Sequence, residues 1–480
     1  MRIYIQWLLL ILYTTFIIIG LKHHELWLDE MHHWLLAKDS QNLRELYQNT
    51  RYEGHPILWN VLLLIISRFS ENPVAMQVLH GFFAILTAFL IVFYTPFPLY
   101  LKSFLLFGYF FFYEYAILSR SYVLIVFLVL SICAVYHSFP QKKWLLFCLL
   151  FLLANTHLLA IPIFLGFSIF FFWKKWLLQD YFLALFALIG LFLALAQINP
   201  PANHPFHHYW SRLHIDINTI ARVFNQMGQG WFPISDYRDT AFWNKNIFNT
   251  ISSVILVVLG FIFLFILLVQ TYFHKRLWIS IMVVFGGIFS ILYFLQMIGF
   301  RYYGIVWIAL IPIYWFLYTQ KPINKQLLYQ IFSVMAFIQM LGGVIAYSLD
   351  IQKPFSQAKN VVNFIQEKRL ENVPLAVSPA NAAPSISGYI GKNVYHLDVE
   401  AYHSFCLWYK PVREANRKKL FNSLVNFAST SPKVLFVSNY LLHKEDLAYL
   451  EDVLKIQLLK HFQPSVIQSE IYWLYLIHKK

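Results

Sequence analysis

Charged residues are scarce in this sequence. Asp, Glu, Lys and Arg make up 12% of its 480 residues, about half of their share in an ordinary soluble domain, whereas 59% of the residues are hydrophobic and 19% are aromatic. Most of the surface must therefore face lipid, and the composition predicts an integral membrane protein. The formal net charge of +14 comes mostly from basic residues that flank apolar runs, so a nucleic-acid partner is not expected.

Cysteines and common ligand-binding motifs are scarce or absent as well. Of the three cysteines, Cys133 and Cys148 fall inside apolar runs, so neither a disulfide framework nor a CxxC metal site is predicted. The paired histidines at 23–24 and 207–208 lack the i, i+4 spacing of helical metal ligands. The sequence contains no Walker loop, no Gly-rich dinucleotide motif and no Asp-x-Asp pair, and it therefore gives no support for a nucleotide donor.

Long apolar runs, by contrast, extend through the first 350 residues. Because a transmembrane helix needs about 20 apolar residues, or fewer when it is buried among others, residues 1–350 are predicted to form a polytopic α-helical domain with about eleven spans. The runs are 3–20, 74–93, 101–118, 120–137, 143–155, 158–173, 181–197, 249–272, 277–298, 303–319 and 327–348. No small-residue cleavage site follows the first run, so it is predicted to remain as an uncleaved helix. The short run Ile57–Phe69 is predicted to lie at the membrane interface.

Basic residues between the runs predict the orientation of the chain. The connections on the side of the N-terminus contain Lys102, Lys142, Lys143, Lys174, Lys175, Lys275, Arg276, Lys321 and Lys325. By the positive-inside rule this side is cytoplasmic, and the expected location is a bacterial inner membrane. Residues 21–73 and 198–248 then form two outside loops of about 50 residues each, and long ordered loops of this kind usually carry function.

The last part of the chain has a different pattern. Helical signals at 357–369, 413–427 and 444–454 alternate with short apolar strand signals at 375–377, 394–397, 434–437 and 472–477. This alternation predicts a small soluble α/β domain at 351–480, on the extracytoplasmic side with the two long loops.

The strongest local signal is the segment Leu26-Trp-Leu-Asp-Glu-Met-His-His-Trp34, directly after the first run. If this segment is helical, its apolar side chains form one stripe, whereas Asp29 and His33 share another face. The stripe consists of Trp27, Met31 and Trp34. It would rest on the bilayer and present Asp29 and Glu30 to a cavity above it. A solvated interfacial helix with incidental charges is the alternative that the spacing leaves open.

Two other segments place ionisable residues beside apolar runs. His55 lies between a Gly and a Pro, where both a capping role and a substrate-binding role are open. Glu114 and Arg120 fall where two predicted spans turn on the outside. An unpaired carboxylate in apolar surroundings is unfavourable by about 3 kcal/mol, so Glu114 is expected either to face a cavity or to form a structural pair with Arg120.

Two more outer turns contain candidate residues. His157 lies in the turn at 155–157, and Arg301 and Tyr302 lie at the outer end of a late span. A guanidinium in that position is suited to hold a phosphate group through two parallel hydrogen bonds. A side chain that only extends to the membrane interface is equally consistent with this position.

Taken together, these segments resemble the GT-C glycosyltransferases, above all the branch of protein mannosyltransferases and aminoarabinose transferases. The matching segments are Leu28-Asp-Glu30, Gly54-His-Pro-Ile-Leu-Trp59, Glu114 with Ser119-Arg-Ser-Tyr122, and Thr156-His157. The sequence departs from the His-Pro-Pro-Leu pattern of that family at Ile57. The resemblance implies a GT-C-like fold, a sugar carried on a polyprenyl phosphate as the donor, and transfer of that sugar on the outer side of the membrane.

The resemblance also implies roles for individual residues. The first-loop Asp is the acid–base residue of the family, which implies that role for Asp29, with Glu30 beside it and Glu114 as a second acidic residue. The expected residues for the donor phosphate and substrate are His55, Arg120, Tyr122, His157, Arg301 and Tyr302. The acceptor would be a glycan, lipid or protein of the cell envelope. No cofactor or divalent metal is expected, because cationic side chains can stabilise a leaving monophosphate.

Two other functions stay open. A polysaccharide ligase or polymerase with a lipid-diphosphate donor would place its essential residues in the second long loop, at His204, His207 and Arg212. A transporter or flippase would place ionisable residues near the middle of its spans, whereas the spans here are almost free of charge. An inverting, lipid-linked-sugar-dependent glycosyltransferase is therefore the preferred hypothesis.

Overall fold

The computed structural model of this chain describes residues 2–172, 177–199, 201, 215–319, 325–408 and 417–480. Three of the basic residues used for the orientation, Lys174, Lys175 and Lys321, lie outside the described residues. The same is true of His204, His207 and Arg212, on which the ligase alternative depends.

The described part of the first 352 residues is almost entirely helical. Its α-helices are α1 (Arg2–His23), α2 (Leu28–Asp39), α3 (Leu43–Thr50), α4 (Leu58–Ser67), α5 (Val74–Tyr94), α6 (Leu99–Leu106), α7 (Tyr122–Ser138), α8 (Lys143–Ala154), α9 (Ala160–Phe172), α10 (Leu178–Ile198), α11 (Ile217–Trp231), α12 (Ile247–Ile251), α13 (Ser253–Thr271), α14 (Lys275–Leu295), α15 (Phe300–Thr319) and α16 (Lys325–Gln352). Seven of these helices are long and apolar enough to cross a membrane, namely α1, α5, α10, α13, α14, α15 and α16. The chain is therefore a mostly helical membrane protein.

The number of spans is only partly settled by these helices. Four further apolar helices, α4, α7, α8 and α9, are shorter than the usual spanning length. The predicted span at 101–118 is not one α-helix, because α6 ends at Leu106 and a π-helical segment follows at Tyr109–Glu114. A count of eleven spans, a GT-C fold and the orientation of the chain in the membrane remain predictions.

The two long loops contain helices of their own. The loop at 21–73 forms α2, α3 and α4, and the predicted interfacial run becomes the ten-residue helix α4. The start of α3 is capped by Asn42, whose side-chain oxygen accepts hydrogen bonds from the backbone N–H groups of Arg44 and Glu45. In the second loop, α11 packs against α13 and α15. Both loops are thus folded onto the helical domain.

The C-terminal part contains a single six-stranded sheet with helices packed on it. Its strands are β1 (Leu375–Ser378), β2 (Val394–His396), β3 (Ala401–His403), β4 (Lys433–Ser438), β5 (Leu454–Phe462) and β6 (Tyr472–Lys479), and its helices are α17 (Ala358–Glu367), α18 (Ala383–Ile390), α19 (Arg417–Ala428) and α20 (Lys444–Glu451). The strand order is β3-β2-β1-β4-β6-β5, in which β1 is parallel to β2 and β4 and the other pairs are antiparallel. Apolar clusters cover both faces of the sheet.

Most of the predicted C-terminal elements are present in this sheet and its helices. The strand signals at 375–377, 394–397, 434–437 and 472–477 correspond to β1, β2, β4 and β6. The sequence interpretation missed β3, β5 and α18. Strand β5 lies at an edge of the sheet, and the adjacent residues Leu458 and Leu459 interrupt the polar–apolar alternation that would indicate a strand.

Candidate functional site

Helix α2 places the first acidic residues beside the helical domain. The predicted helix is present from Leu28 to Asp39, and its two acidic residues lie in the first turn, where the helix dipole favours negative charge. The apolar side chains Met31 and Trp34 are buried, as their spacing requires. They do not rest on the bilayer as expected. Met31 lies against Gly388 of α18, so the C-terminal domain covers this side of α2.

Asp29 is held between two guanidinium groups. Its Oδ2 atom lies 2.5 Å from Nη1 of Arg120 and also contacts Nη1 of Arg301. The Asp29 side chain is 22% exposed, and those of Arg120 and Arg301 are 9% and 20% exposed, so the group is mostly shielded from water. Burial alone would raise the pKa of Asp29, but the two guanidinium groups outweigh it and hold that pKa well below its usual range. Asp29 is therefore an ionised carboxylate with two cationic partners.

Aromatic rings surround the guanidinium group of Arg301. Its central carbon lies 4.9 Å from the ring centroid of Tyr302, 5.8 Å from that of Trp243 and 5.9 Å from that of Trp27. Cation–π attraction adds to the ion pair with Asp29 at such distances. Arg301 is thus paired with Asp29 and surrounded by aromatic side chains. The alternative of a side chain that merely extends to the membrane interface is wrong.

The backbone at the start of α15 brings Arg301 and Trp243 together. Gly299 has a φ angle of +131°, which favours glycine, and it directly precedes the helix. The side-chain oxygen of Asn244 accepts a hydrogen bond of 2.7 Å from the backbone N–H of Phe300. This hydrogen bond holds Trp243, which precedes Asn244, beside Arg301, which follows Phe300.

Glu114 belongs to the same region but has different partners from those expected. It is 2% exposed, and its Oε2 atom accepts hydrogen bonds of 3.0 Å from the hydroxyl of Tyr109 and from Nε1 of Trp243. The alternative of a Glu114–Arg120 ion pair is wrong for the described residues, because Arg120 pairs with Asp29. Glu114 and Asp29 instead flank the same pair of side chains, Trp243 and Arg301.

Three imidazole rings lie beside the arginines. The ring centroids of His55 and His157 are 4.5 Å apart, and those of His55 and His33 are 6.4 Å apart. The hydroxyl of Tyr122 lies 3.2 Å from Nε2 of His157, and the ring of Tyr302 lies 6.3 Å from that of Tyr122. The predicted substrate-binding residues His55, Tyr122, His157 and Tyr302 are therefore brought together.

The hydrogen bonds of these rings define their chemistry. Nδ1 of His157 accepts a hydrogen bond of 3.1 Å from the backbone N–H of Leu159, so Nε2 of its neutral ring donates to the Tyr122 oxygen. The Tyr122 hydroxyl then retains its own hydrogen for another acceptor. Nδ1 of His55 is buried and has no hydrogen-bond partner among the described residues. Ligand oxygens could supply the missing hydrogen-bond partners of the Tyr122 hydroxyl and of Nδ1 of His55.

His55 lies at the site as an uncharged ring. Burial, together with the Arg120 guanidinium, lowers the pKa of His55 to about 4. The same two causes lower the pKa of His33 to about 3. Both rings are neutral at physiological pH, so among the described residues the cationic partners of Asp29 are Arg120 and Arg301.

Glu30 points away from Asp29 into a closed network. It is fully buried, and its oxygens accept hydrogen bonds from the backbone N–H of Ser119 at 2.5 Å and from Nε2 of His24 at 3.0 Å. This position corrects the expectation that Glu30 faces the cavity. Because Ser119 precedes Arg120, the Glu30 contact holds the Arg120 segment next to Asp29, which is a positioning role.

His24 links this network to the last membrane helix. Its two ring nitrogens lie 3.0 Å from Glu30 and 3.1 Å from Asp350 of α16. Burial disfavours a charged imidazole, but Asp350 and Glu30 together outweigh it and raise the pKa of His24 well above its usual value. A protonated His24 is thus the buried cation between two carboxylates.

Replacing His24 with Ala is expected to destabilise the protein by about 3 kcal/mol or more, because it leaves two buried carboxylates without their shared cation. The measurement is thermal or denaturant unfolding of the purified protein in detergent. His23→Ala is the matched control, since His23 is exposed and its ring forms a hydrogen bond with the carbonyl of Ile19 in its own helix. Equal stability of His24→Ala and His23→Ala would show that the His24 network does not stabilise the fold.

The C-terminal domain also holds the start of α2. Glu470 is buried, and its Oε1 atom accepts hydrogen bonds of 2.6 Å from the backbone N–H of Leu28 and from the hydroxyl of Ser385. Burial raises the pKa of Glu470 to about 7, although these hydrogen bonds oppose the shift. The residue before Asp29 is therefore attached to a carboxyl group that titrates near neutral pH.

Glu470 makes the stability of the folded protein dependent on pH. Between about pH 4.5 and 7 the folded protein retains a proton that the unfolded chain has released, so stability is lost as the pH rises through this window. The loss is on the order of 3 kcal/mol. Glu470→Gln keeps an acceptor oxygen and is expected to flatten the melting temperature between pH 5 and pH 8. Glu451→Gln, at an exposed position, is the control, and parallel pH curves for wild type and Glu470→Gln would refute the assignment.

Several residues of this site escaped the sequence interpretation. Trp243 lies in a long loop whose composition suggested function, but no spacing singled it out. His24 and Asp350 stand at the ends of predicted spans, where ionisable residues are common. Glu470 is one acidic residue among many in a soluble domain. For each of them, only the contact across the fold reveals the role.

No family model matches this sequence, and no curated protein or solved structure shows detectable similarity to it, so the resemblance to the GT-C glycosyltransferases depends on the sequence motifs described above.

Proposed function

We propose that this protein is a membrane glycosyltransferase of the GT-C class, which transfers a sugar from a polyprenyl-phosphate donor to a cell-envelope acceptor on the outer side of the membrane. The observation that carries the proposal is the position of Asp29. One partly exposed carboxylate lies between two mostly buried guanidinium groups, with neutral imidazole and phenol groups beside them. This set combines a proton acceptor, two phosphate-binding groups and neutral hydrogen-bonding groups for a sugar.

Arg120 and Arg301 are suited to bind the donor phosphate. Guanidinium groups in a site shielded from water bind phosphate oxygens strongly and stabilise the charge that develops when the phosphate leaves. Without a donor, Asp29 contacts both guanidinium groups and offsets one of their two positive charges. We expect the donor phosphate to take over this interaction, which releases the Asp29 carboxylate and raises its pKa toward the range in which it can accept a proton.

The reaction then proceeds by one displacement. Asp29 accepts the proton of the acceptor hydroxyl while the hydroxyl oxygen forms a bond to the anomeric carbon. The bond between that carbon and the phosphate oxygen breaks, and its electron pair remains on the phosphate, next to Arg120 and Arg301. A single displacement inverts the anomeric configuration. The lipid phosphate leaves and the acceptor gains the sugar.

The imidazole rings have a separate task in this scheme. Because His55 and His33 are neutral, they can hydrogen-bond to sugar hydroxyl groups without adding charge. Tyr122 has a hydroxyl hydrogen available, since His157 donates to its oxygen. We expect these residues, together with Tyr302, to orient the sugar ring over Asp29.

The test is a comparison of cell-envelope glycans by mass spectrometry between cells with and without the gene. The expected result is that one sugar residue is missing from a glycan, lipid or protein in cells that lack the gene, and that it returns when the gene is restored. Its mass would define the donor, and the molecule that carries it would define the acceptor class. Identical glycans, lipids and proteins in both strains would refute the proposal.

A further inference from the structure

A wide groove lies on another side of α2 from the arginine pair. It has a volume of about 1060 Å³, at the upper end of the range for sites that hold a small molecule. Residues from the end of α1 and the start of α5 line it, together with Gly388 and Tyr389 of α18. None of Asp29, Arg120 and Arg301 lines it. The groove shares His24 of the Glu30 network with the region described above, but it is separate from Asp29 and its two arginines.

The groove has a cationic end. Three lysines line it, Lys22 after the spanning part of α1, Lys38 near the end of α2 and Lys359 on α17, against one carboxylate, Glu71. Lys22 and Lys359 are exposed and Lys38 is half-buried. None of the three forms an ion pair with any carboxylate of the described residues. Three cations without an ion-pair partner among the described residues thus line one groove, which also contains the end of α1 and the start of α5.

The opposite end of the groove is apolar and open. Val78, Phe82 and Ile18 line it and are 66%, 54% and 50% exposed. They belong to α1 and α5, which are both long and apolar enough to cross a membrane. Such a wall faces hydrocarbon when its helices are in a bilayer. A cationic end that continues into an apolar wall has the two-part chemistry of a membrane lipid with an anionic head group.

The geometry points to a binding site for an anionic glycerophospholipid of the surrounding bilayer, with its phosphate at Lys22, Lys38 and Lys359 and its acyl chains along Val78 and Phe82. Each lysine near an anionic lipid surface strengthens binding by about fivefold, so the three together should contribute about a hundredfold. The site does not depend on the proposed sugar transfer, because it shares none of the residues assigned to that reaction.

The test is native mass spectrometry of the purified full chain in detergent, with phosphatidylglycerol and phosphatidylcholine as probes. The wild-type protein is expected to retain phosphatidylglycerol in preference to phosphatidylcholine. The triple variant Lys22→Gln, Lys38→Gln, Lys359→Gln is expected to lose about a hundredfold in affinity for phosphatidylglycerol. Val78→Trp places a larger side chain in the apolar part of the groove and leaves the lysines unchanged. This variant should weaken the binding of phosphatidylglycerol.

A matched triple variant controls for overall charge. Lys433→Gln, Lys455→Gln and Lys479→Gln remove three exposed lysines from the C-terminal sheet and should leave phosphatidylglycerol binding unchanged. Equal affinity of the wild type for the two lipids would overturn the proposal, as would equal losses in the two triple variants. Displacement of the lipid by inorganic phosphate would show a phosphate site and not a lipid site.

Discussion

Asp29→Asn is expected to lower sugar transfer by about a hundredfold to ten-thousandfold, the usual contribution of a general base. The asparagine occupies the same space but cannot accept the proton of the acceptor hydroxyl. The variant is to be expressed in cells that lack the gene, and the envelope sugar identified by the glycan comparison is to be measured. Because Asp29→Asn also leaves Arg120 and Arg301 without a counter-ion, the amount of folded protein in the membrane must be measured alongside.

Asp39→Asn is the matched control for this prediction. Asp39 lies at the other end of α2, is exposed and accepts a hydrogen bond from Ser404 of the C-terminal domain. Its replacement changes the same charge on the same helix and should leave transfer near the wild-type level. Full transfer by folded Asp29→Asn would remove Asp29 from the role of base, whatever the function of the surrounding residues.

Arg301→Lys is expected to raise the KM for the lipid-linked donor by about tenfold to a hundredfold. A lysine keeps the positive charge that Asp29 requires, so folding should be preserved, but it loses the planar group that binds a phosphate through two hydrogen bonds. It also loses the fit among Trp27, Trp243 and Tyr302. A charge-assisted hydrogen bond contributes about 1.5–3 kcal/mol, which corresponds to this change in KM.

The control for this change is Arg238→Lys. Arg238 also pairs with a carboxylate, Asp236, but its side chain is 57% exposed, and the arginine partners of Asp29 are Arg120 and Arg301. We expect its replacement to leave both KM and kcat unchanged, since lysine keeps the charge that pairs with Asp236 and Arg238 is not assigned to the donor or the acceptor. If Arg301→Lys lowered kcat with no effect on KM, Arg301 would act in the transition state alone and not in donor binding.

The sequence interpretation succeeded where the signal was local. The segment around Asp29 has helical spacing, and its buried positions Met31 and Trp34 follow directly from that spacing. His55, His157 and Tyr122 were selected as members of one site from separate turns, and the structure brings them into contact. The helical pattern depends on backbone geometry alone, whereas the three residues from separate turns were selected through the resemblance to the GT-C glycosyltransferases.

The sequence interpretation failed where a charged residue could pair with several different partners. Glu30 was paired with Asp29 because the two are neighbours in sequence, but adjacent residues of a helix point in different directions, and Glu30 bonds to Ser119 and His24 instead. For Glu114, a structural pair with Arg120 was one of two alternatives, and the other was a carboxylate that faces a cavity. It accepts hydrogen bonds from Tyr109 and Trp243.

Composition alone predicted a membrane protein, because so few charges cannot cover a water-exposed surface, and seven described helices are long and apolar enough to cross a membrane. Local spacing determined that Asp29 begins a helix. Only the tertiary structure decided that Arg301 lies on Asp29, since the two are 272 positions apart and any of several cations was compatible with the sequence. The physical reason is that electrostatic attraction acts over a few ångströms in space, whereas the distance along the chain carries no information about it.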